Sequence, residues 1–323
     1  MDYDRDKDGY IYDRVKWHTR KKHFFIESYL QIWVDKVKRN QPTLDIFDLF
    51  AATGLCYCED IAEPNSRWEG SACLAARCLE GYPRGRYLFL NTYHPDEEMF
   101  AAQKANLTRK ISEIRKSKPG YTEIVSKEID QAVEDAIAFA ESKNLLQYPT
   151  IWVLDPCAAS TLPWSVVERI GKLRRTYYSP KSGERVRKPE LIINLMTSDL
   201  QRNIKTNPHV ISIALGLDEG VWRPEIDDLM QTKGYNTREA LIELYARRLS
   251  ELYDKAPIIS EINTTNESAI VYCLFLCTDN NAGHYMGKLQ GLKDYNTRLY
   301  DWRHEARRVV AEKKLPPDQT KLF

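Results

Sequence analysis

The run Leu44-Asp45-Ile46-Phe47-Asp48-Leu49-Phe50-Ala51-Ala52-Thr53-Gly54 reads as an apolar strand that ends in an acidic residue and turns through small residues. Nucleotide-binding α/β sheets present their first strand and ligand loop in this form. The strand carries Asp48 to the carboxyl edge of the sheet, and Ala51, Ala52 and Gly54 let backbone amides approach a ligand closely.

Upstream, Val15 to Lys38 is helical. Ile26, Leu30, Trp33 and Val37 recur at three- and four-residue steps, and Phe25, Tyr29 and Ile32 widen the stripe. Arg20-Lys21-Lys22, with His18 and His23, reads as the solvated face of this helix. Residues 1–14 are polar and read as a loose segment. Within them Asp4, Asp6, Asp8 and Gly9 mimic the start of a calcium loop, but its twelfth position is Val15 rather than a bidentate Glu.

Downstream, residues 70–80 form a helix that Gly70-Ser71 begins, and Arg86 to Asn91 is a second strand. Pro95 marks the start of a helix, and a charged stretch runs from there to Pro119-Gly120. Thr122–Ser126 is a strand, Ile129–Asn144 a helix and Pro149–Asp155 a strongly apolar strand. Leu162–Leu173 is helical, and Leu191–Met196 is a buried strand. A helix at 236–254, strands near 258–263 and 269–277 joined by an Asn-Glu-Ser turn, and a helix from about 282 complete the order. Strands alternating with helices imply parallel βαβ units. The expectation is one α/β domain over 15–313, a mostly parallel Rossmann-like sheet with a late antiparallel hairpin and helices on both faces. A basic insertion covers 174–190, and residues 314–323 form a tail.

With 323 residues the chain can bury a large core, and a net charge of +1 gives no global field towards nucleic acid. Seven cysteines, an odd number, suit reduced thiols in a cytoplasmic protein. No signal-peptide layout is evident, and the longest apolar run, Ala269–Cys277, is too short to cross a bilayer, so no membrane association is expected.

Class I methyltransferases place an acidic residue and a Gly-rich turn around the methionine part of S-adenosylmethionine. Asp48 and the turn residues Phe50, Ala52 and Gly54 are the candidates for that role, although Ala52 stands where glycine is usual. A plain strand–loop–helix junction remains the alternative. Asn91 ends the second strand, where Asp or Glu commonly accepts from ribose hydroxyls, and it can equally be a turn residue. Asp155-Pro156-Cys157-Ala158 ends the fourth strand. Amino-directed DNA methyltransferases carry Asp/Asn-Pro-Pro-aromatic there; the aromatic ring is missing here, and a helix-initiating Asp-Pro turn explains the step as well. Cys56, Cys58, Cys73 and Cys78 lack the spacings of a standard zinc knuckle, and no metal is expected. Cys157 has no histidine evidently related to it by sequence. Arg174, Arg175, Tyr177, Tyr178, Lys181, Arg185, Arg187 and Lys188 could hold phosphates and stack a base, or form a solvated loop.

Together these pieces resemble the three-Cys-motif partner family (TcmP). The matching stretches are Trp17-His18-Thr19-Arg20-Lys21-Lys22, Asp48–Gly54, Gly70-Ser71-Ala72, Asp155–Ala158 with Trp164, and Thr278–Gly283. The resemblance covers about residues 15 to 290, and Ala52, Ala72, Cys157 and Ala158 depart from the family pattern. It implies a class I methyltransferase-like fold, S-adenosylmethionine as cofactor, and a radical-type three-Cys partner, often in phage-associated settings. Gly70 and Ser71 would then offer amides to the cofactor carboxylate, Asn91 would take the ribose, and Asp155 would orient or deprotonate an acceptor, with DNA or RNA as substrate. The alternative is an inactive scaffold that recruits a partner or nucleic acid.

Overall fold

A computed structural model describes residues 3–37, 41–80, 82, 85–115, 121–179, 183–263, 270–281 and 283. The chain opens with strands β1 (Tyr3–Arg5) and β2 (Ile11–Arg14), then helix α1 (Trp17–Val37) and strands β3 (Thr43–Asp48), β4 (Leu55–Tyr57) and β5 (Arg67–Glu69). It continues through α2 (Ser71–Glu80), β6 (Gly85–Asn91), α3 (Glu97–Ile114), β7 (Tyr121–Val125), α4 (Ile129–Ser142), β8 (Thr150–Leu154) and α5 (Trp164–Gly171). A hairpin, β9 (Arg175–Ser179) and β10 (Gly183–Arg187), precedes β11 (Glu190–Leu195). Four helices, α6 (Thr197–Thr206), α7 (Pro208–Leu215), α8 (Glu219–Lys233) and α9 (Thr237–Leu252), lead to β12 (Ile258–Asn263) and β13 (Ile270–Cys277).

The main sheet has seven strands in the order β12-β13-β11-β8-β3-β6-β7. The pairs β11–β8, β8–β3, β3–β6 and β6–β7 are parallel, and β13 runs antiparallel between β11 and β12. The chain enters at the middle of the sheet and winds outwards both ways. Each central strand is apolar on both faces, as a strand covered by helices on either side must be. On β3, Leu44 and Ile46 face a core shared with α1, α2 and α3, while Phe47 faces a second core shared with α4, α5 and α9. On β8 the same alternation sends Ile151 and Val153 to the first core and Trp152 and Leu154 to the second. Phe47 and Trp152 stack across the strand pair with ring centroids 4.1 Å apart.

Two expectations are corrected. Residues 3–14 are not loose: β1 and β2 form an antiparallel pair, and β2 joins β4 and β5 in a second sheet of order β1-β2-β4-β5. Asp6 supports the hairpin turn by accepting from the amides of Asp8 and Tyr10, which engages one of the acidic residues that mimic a calcium loop. Asn106 of α3 then pins Ile11 through both its amide and its carbonyl.

The basic face of α1 is also not solvated. Lys21, Lys22 and His23 are buried. The stretch 197–233, to which the sequence reading assigns no element, holds α6, α7 and α8. The Asn-Glu-Ser turn, the helix from about 282 and the tail 314–323 lie outside the described residues. Among the described residues, no helix is long and apolar enough to cross a membrane.

Candidate functional site

The carboxyl ends of β3, β6 and β8 open into a cavity of about 830 Å³. Open α/β sheets bind ligands at this edge, where the winding direction reverses. Of the residues singled out in the sequence, Phe50, Ala52, Gly54, Gly70, Ser71, Asn91 and Asp155 line it, as does Cys157.

The turn after β3 is held by the chain's own hydrogen bonds and packing. Ala52 takes φ +45°, the left-handed conformation that its small side chain tolerates only with strain. Thr92 Oγ1 donates to the Ala52 carbonyl at 2.8 Å, and the Ala51 amide donates to Asn91 O at 2.9 Å. Gly54 has φ +76°, and a Cβ there would lie 2.6 Å from Leu107 Cδ1. The glycine is thus required by the conformation and by the packing of α3. Gly70 N donates to Gly54 O at 2.8 Å, which sets the start of α2 against the turn.

Asp48 sits below this turn, fully buried, and is not among the cavity-lining residues. The Phe50 amide donates to its Oδ1 at 3.0 Å, while Oδ2 has no partner. Burial pushes its pKa up to about 7, against the favourable Phe50 amide and the nearby Ser71 hydroxyl. Asn91 is occupied as well. Its side-chain amide donates to Leu49 O at 3.2 Å and Lys127 O at 3.0 Å, and its Oδ1 accepts from the Lys127 amide at 3.0 Å. It straps three loops together, so both of its donors and one acceptor position are taken.

Asp155 lies at the centre of a charged cluster. Lys22 Nζ donates to Asp155 Oδ1 at 2.6 Å, and Asn194 Nδ2 donates to the same oxygen at 2.9 Å. His23 Nε2 lies 3.7 Å from Oδ2. Trp68 Nε1 donates to His23 Nδ1 at 2.9 Å, which leaves the proton of a neutral imidazole on Nε2, facing Asp155. Burial would raise the Asp155 pKa, but the Lys22 ammonium and His23 hold it below the usual carboxylate range. Burial lowers the pKa of His23. The site therefore presents an ionised carboxylate with Oδ2 able to accept a hydrogen bond.

Lys22, His23 and Asp13 were not singled out as site residues, although a signal for Lys22 exists. Stepping back four residues from Ile26 on the apolar stripe of α1 reaches Lys22, and four from Phe25 reaches Lys21. A lysine on the buried stripe is held there by a partner. Lys21 is held by the Asn263 carbonyl at 3.1 Å and the Trp17 ring at 3.9 Å.

The basic segment does not join this cavity. The β9–β10 hairpin lies between the end of α5 and the start of β11, at the amino ends of the parallel strands. Arg174 donates to the carbonyls of Gly171, Leu173 and Leu252. Arg187 donates to Gln147 O, and Lys188 contacts Leu252 O, Asp254 and Asp279. The side chains of Arg175, Tyr177, Tyr178 and Arg185, and Lys181 entirely, lie outside what is described. All seven cysteines are free thiols, and Cys56, Cys58 and Cys73 are buried.

No family model matches the chain, and no curated protein is found similar to it. Among solved structures, protein LPL1258 from Legionella pneumophila str. Philadelphia 1, described under the family model DUF519, is similar with a TM-score of 0.45 and 13% identity over 87% of this chain and 92% of that chain.

Proposed function

We propose that this chain is a class I methyltransferase-like protein that binds S-adenosylmethionine in the cavity at the carboxyl ends of β3, β6 and β8. The observation that carries the reading is the convergence of three elements on one cavity: the small-residue turn after β3, the start of α2 at Gly70-Ser71, and the Asp155 carboxylate. The strand order, winding out from β3 with an antiparallel strand inserted near one edge, supports the same class. The Gly70-Ser71 helix start suits a carboxylate, and the cavity volume suits a ligand of nucleoside size.

The transfer itself asks mainly for alignment of acceptor and methyl group. Asp155 acts as a hydrogen-bond acceptor that orients the accepting group through Oδ2. Its depressed pKa makes it a poor general base, so the acceptor is a group that needs no full deprotonation before attack, such as an amine. Nucleic acid is the proposed substrate class. The cavity is lined by Arg14, Lys16 and Lys127, whose side chains are exposed, and by Tyr93, which is 43% exposed and available to stack on a base. The three-Cys-motif partner resemblance adds a radical-type three-Cys protein as the proposed physical partner.

A second reading, a methyltransferase-like scaffold without the reaction, is favoured by the Lys22–Asp155 ion pair, which neutralises the carboxylate proposed to act on an acceptor. Equilibrium dialysis with radiolabelled S-adenosylmethionine, followed by incubation with DNA and RNA, tests both. Retention of label at micromolar concentration and its transfer to nucleic acid is the expected result. Retention without transfer to either supports the scaffold, and no retention overturns the cofactor assignment.

A further inference from the structure

We propose that Asp13 takes the α-ammonium group of the ligand's amino-acid end, with the start of α2 taking its carboxylate; the inference rests on the S-adenosylmethionine reading above. Asp13 belongs to β2, and its buried side chain lines the cavity. Its two oxygens are used unequally. Oδ2 accepts from the Thr53 amide at 3.2 Å and the Thr53 hydroxyl at 2.8 Å. Oδ1 is buried and has no hydrogen-bond partner. Among the described residues, no lysine, arginine or histidine side chain pairs with this carboxylate; the positive charge of the amino terminus lowers its pKa, but burial outweighs it. A buried carboxylate oxygen without a hydrogen-bond partner is costly, and such an oxygen on a cavity-lining side chain is matched to a cationic donor from a ligand.

The placement fits an amino acid. Asp13 pairs with Cys56 on β4, and Cys56 pairs with Trp68 on β5, just before Gly70-Ser71. Two strand spacings separate Asp13 from the segment leading into α2, roughly 10 Å. An ammonium and a carboxylate on one carbon, each with a hydrogen bond of about 3 Å, bridge most of that gap. Both anchors also grip the same turn, Asp13 through Thr53 and Gly70 through the Gly54 carbonyl. Asp48, the acid that the sequence offers for this end of the cofactor, lies beneath the turn and outside the cavity lining. The same charge also discriminates: a nucleotide with a phosphate tail would set negative charge against Asp13, whereas an aminocarboxypropyl tail would set its ammonium there.

Calorimetric titration separates the possibilities. Wild type and Asp13→Asn are titrated with S-adenosylhomocysteine and with 5′-methylthioadenosine, which lacks the amino-acid end. Asn keeps the shape and the acceptor for Thr53 but loses the charge. The expected result is a loss of roughly tenfold or more in S-adenosylhomocysteine affinity, as for a charged hydrogen bond, with 5′-methylthioadenosine affinity unchanged. Unchanged S-adenosylhomocysteine affinity in a cooperatively melting variant overturns the Asp13 assignment and leaves the cofactor reading standing. Equal losses for both ligands assign Asp13 to loop support and overturn it as well. Binding of neither ligand by wild type overturns the cofactor reading, and this inference with it.

Discussion

Lys22 Nζ lies 2.6 Å from Asp155 Oδ1, in a pair whose side chains are only 8% and 7% exposed. The first helix is thereby tied to the end of the fourth parallel strand at the floor of the cavity. Removing one partner leaves a buried, unpaired charge, which costs about 3–5 kcal/mol. Lys22→Met and Asp155→Asn should each destabilise strongly. The double variant should cost clearly less than the two single costs added together. Urea unfolding of all four proteins measures this cycle; simple additivity would mean that the two groups do not depend on each other.

Asp13 makes the protein's stability depend on pH with a definite sign. Burial raises its pKa to about 6 from the ordinary 3.8, so the folded state prefers it protonated. Its contribution is fully present below about pH 4 and is lost as pH rises through 6, a difference of about 3 kcal/mol. Asp155 acts oppositely: its lowered pKa gives stability above pH 4 that is lost as pH falls. Urea midpoints between pH 4.5 and 7.5 should therefore fall more steeply for wild type than for Asp13→Asn. Parallel curves would show that Asp13 is not held in an unfavourable ionised state.

The turn at 51–54 holds its shape through strain at Ala52 and freedom at Gly54. An L-residue in the left-handed region costs about 1–2 kcal/mol, part of which glycine returns as chain entropy. Ala52→Gly should be neutral or stabilising by up to about 1 kcal/mol. Gly54→Ala should destabilise by about 2 kcal/mol or more, because φ is +76° and the new methyl would lie 2.6 Å from Leu107 Cδ1. Thermal melting of the two variants should give shifts of opposite sign or clearly different size.

Asn91→Asp separates a strap from a ribose contact. The native side chain donates to two carbonyls, Leu49 O and Lys127 O. A carboxylate would face both without a proton to offer, so the variant should lose about 1–3 kcal/mol of stability. If Asn91 were mainly a ribose ligand, Asp would instead keep stability and strengthen nucleoside binding. Melting together with adenosine titration distinguishes these outcomes.

Much of the sheet is legible because buried parallel strands write themselves as apolar runs. Ile151 to Leu154 and Leu191 to Leu195 need only a short, nearly continuous apolar run and a following helix. The site is legible where the backbone dictates composition, as at Ala52, Gly54 and Gly70. Side-chain economy is harder to read. Asp48 and Asn91 stand where a ligand-binding acid and a ribose acceptor belong, yet one lies beneath the turn and the other is spent on loop carbonyls. Asp13 was hidden because β1 and β2 have three and four residues, too few for any pattern to register. Lys22 was hidden by its charge, since a basic run at a helix start resembles a wet face until its register with Ile26 and Trp33 is traced. Helix α8 was obscured by Pro224 and a polar surface.

The central claim is tested most directly by a crystal structure of the protein grown with S-adenosylhomocysteine. Density for the ligand is expected in the cavity between the 49–54 turn, Gly70-Ser71 and Asp155, with its amino-acid end between Asp13 and the start of α2. Crystals grown at saturating ligand that show this cavity without it, or the ligand elsewhere on the chain, would contradict the account.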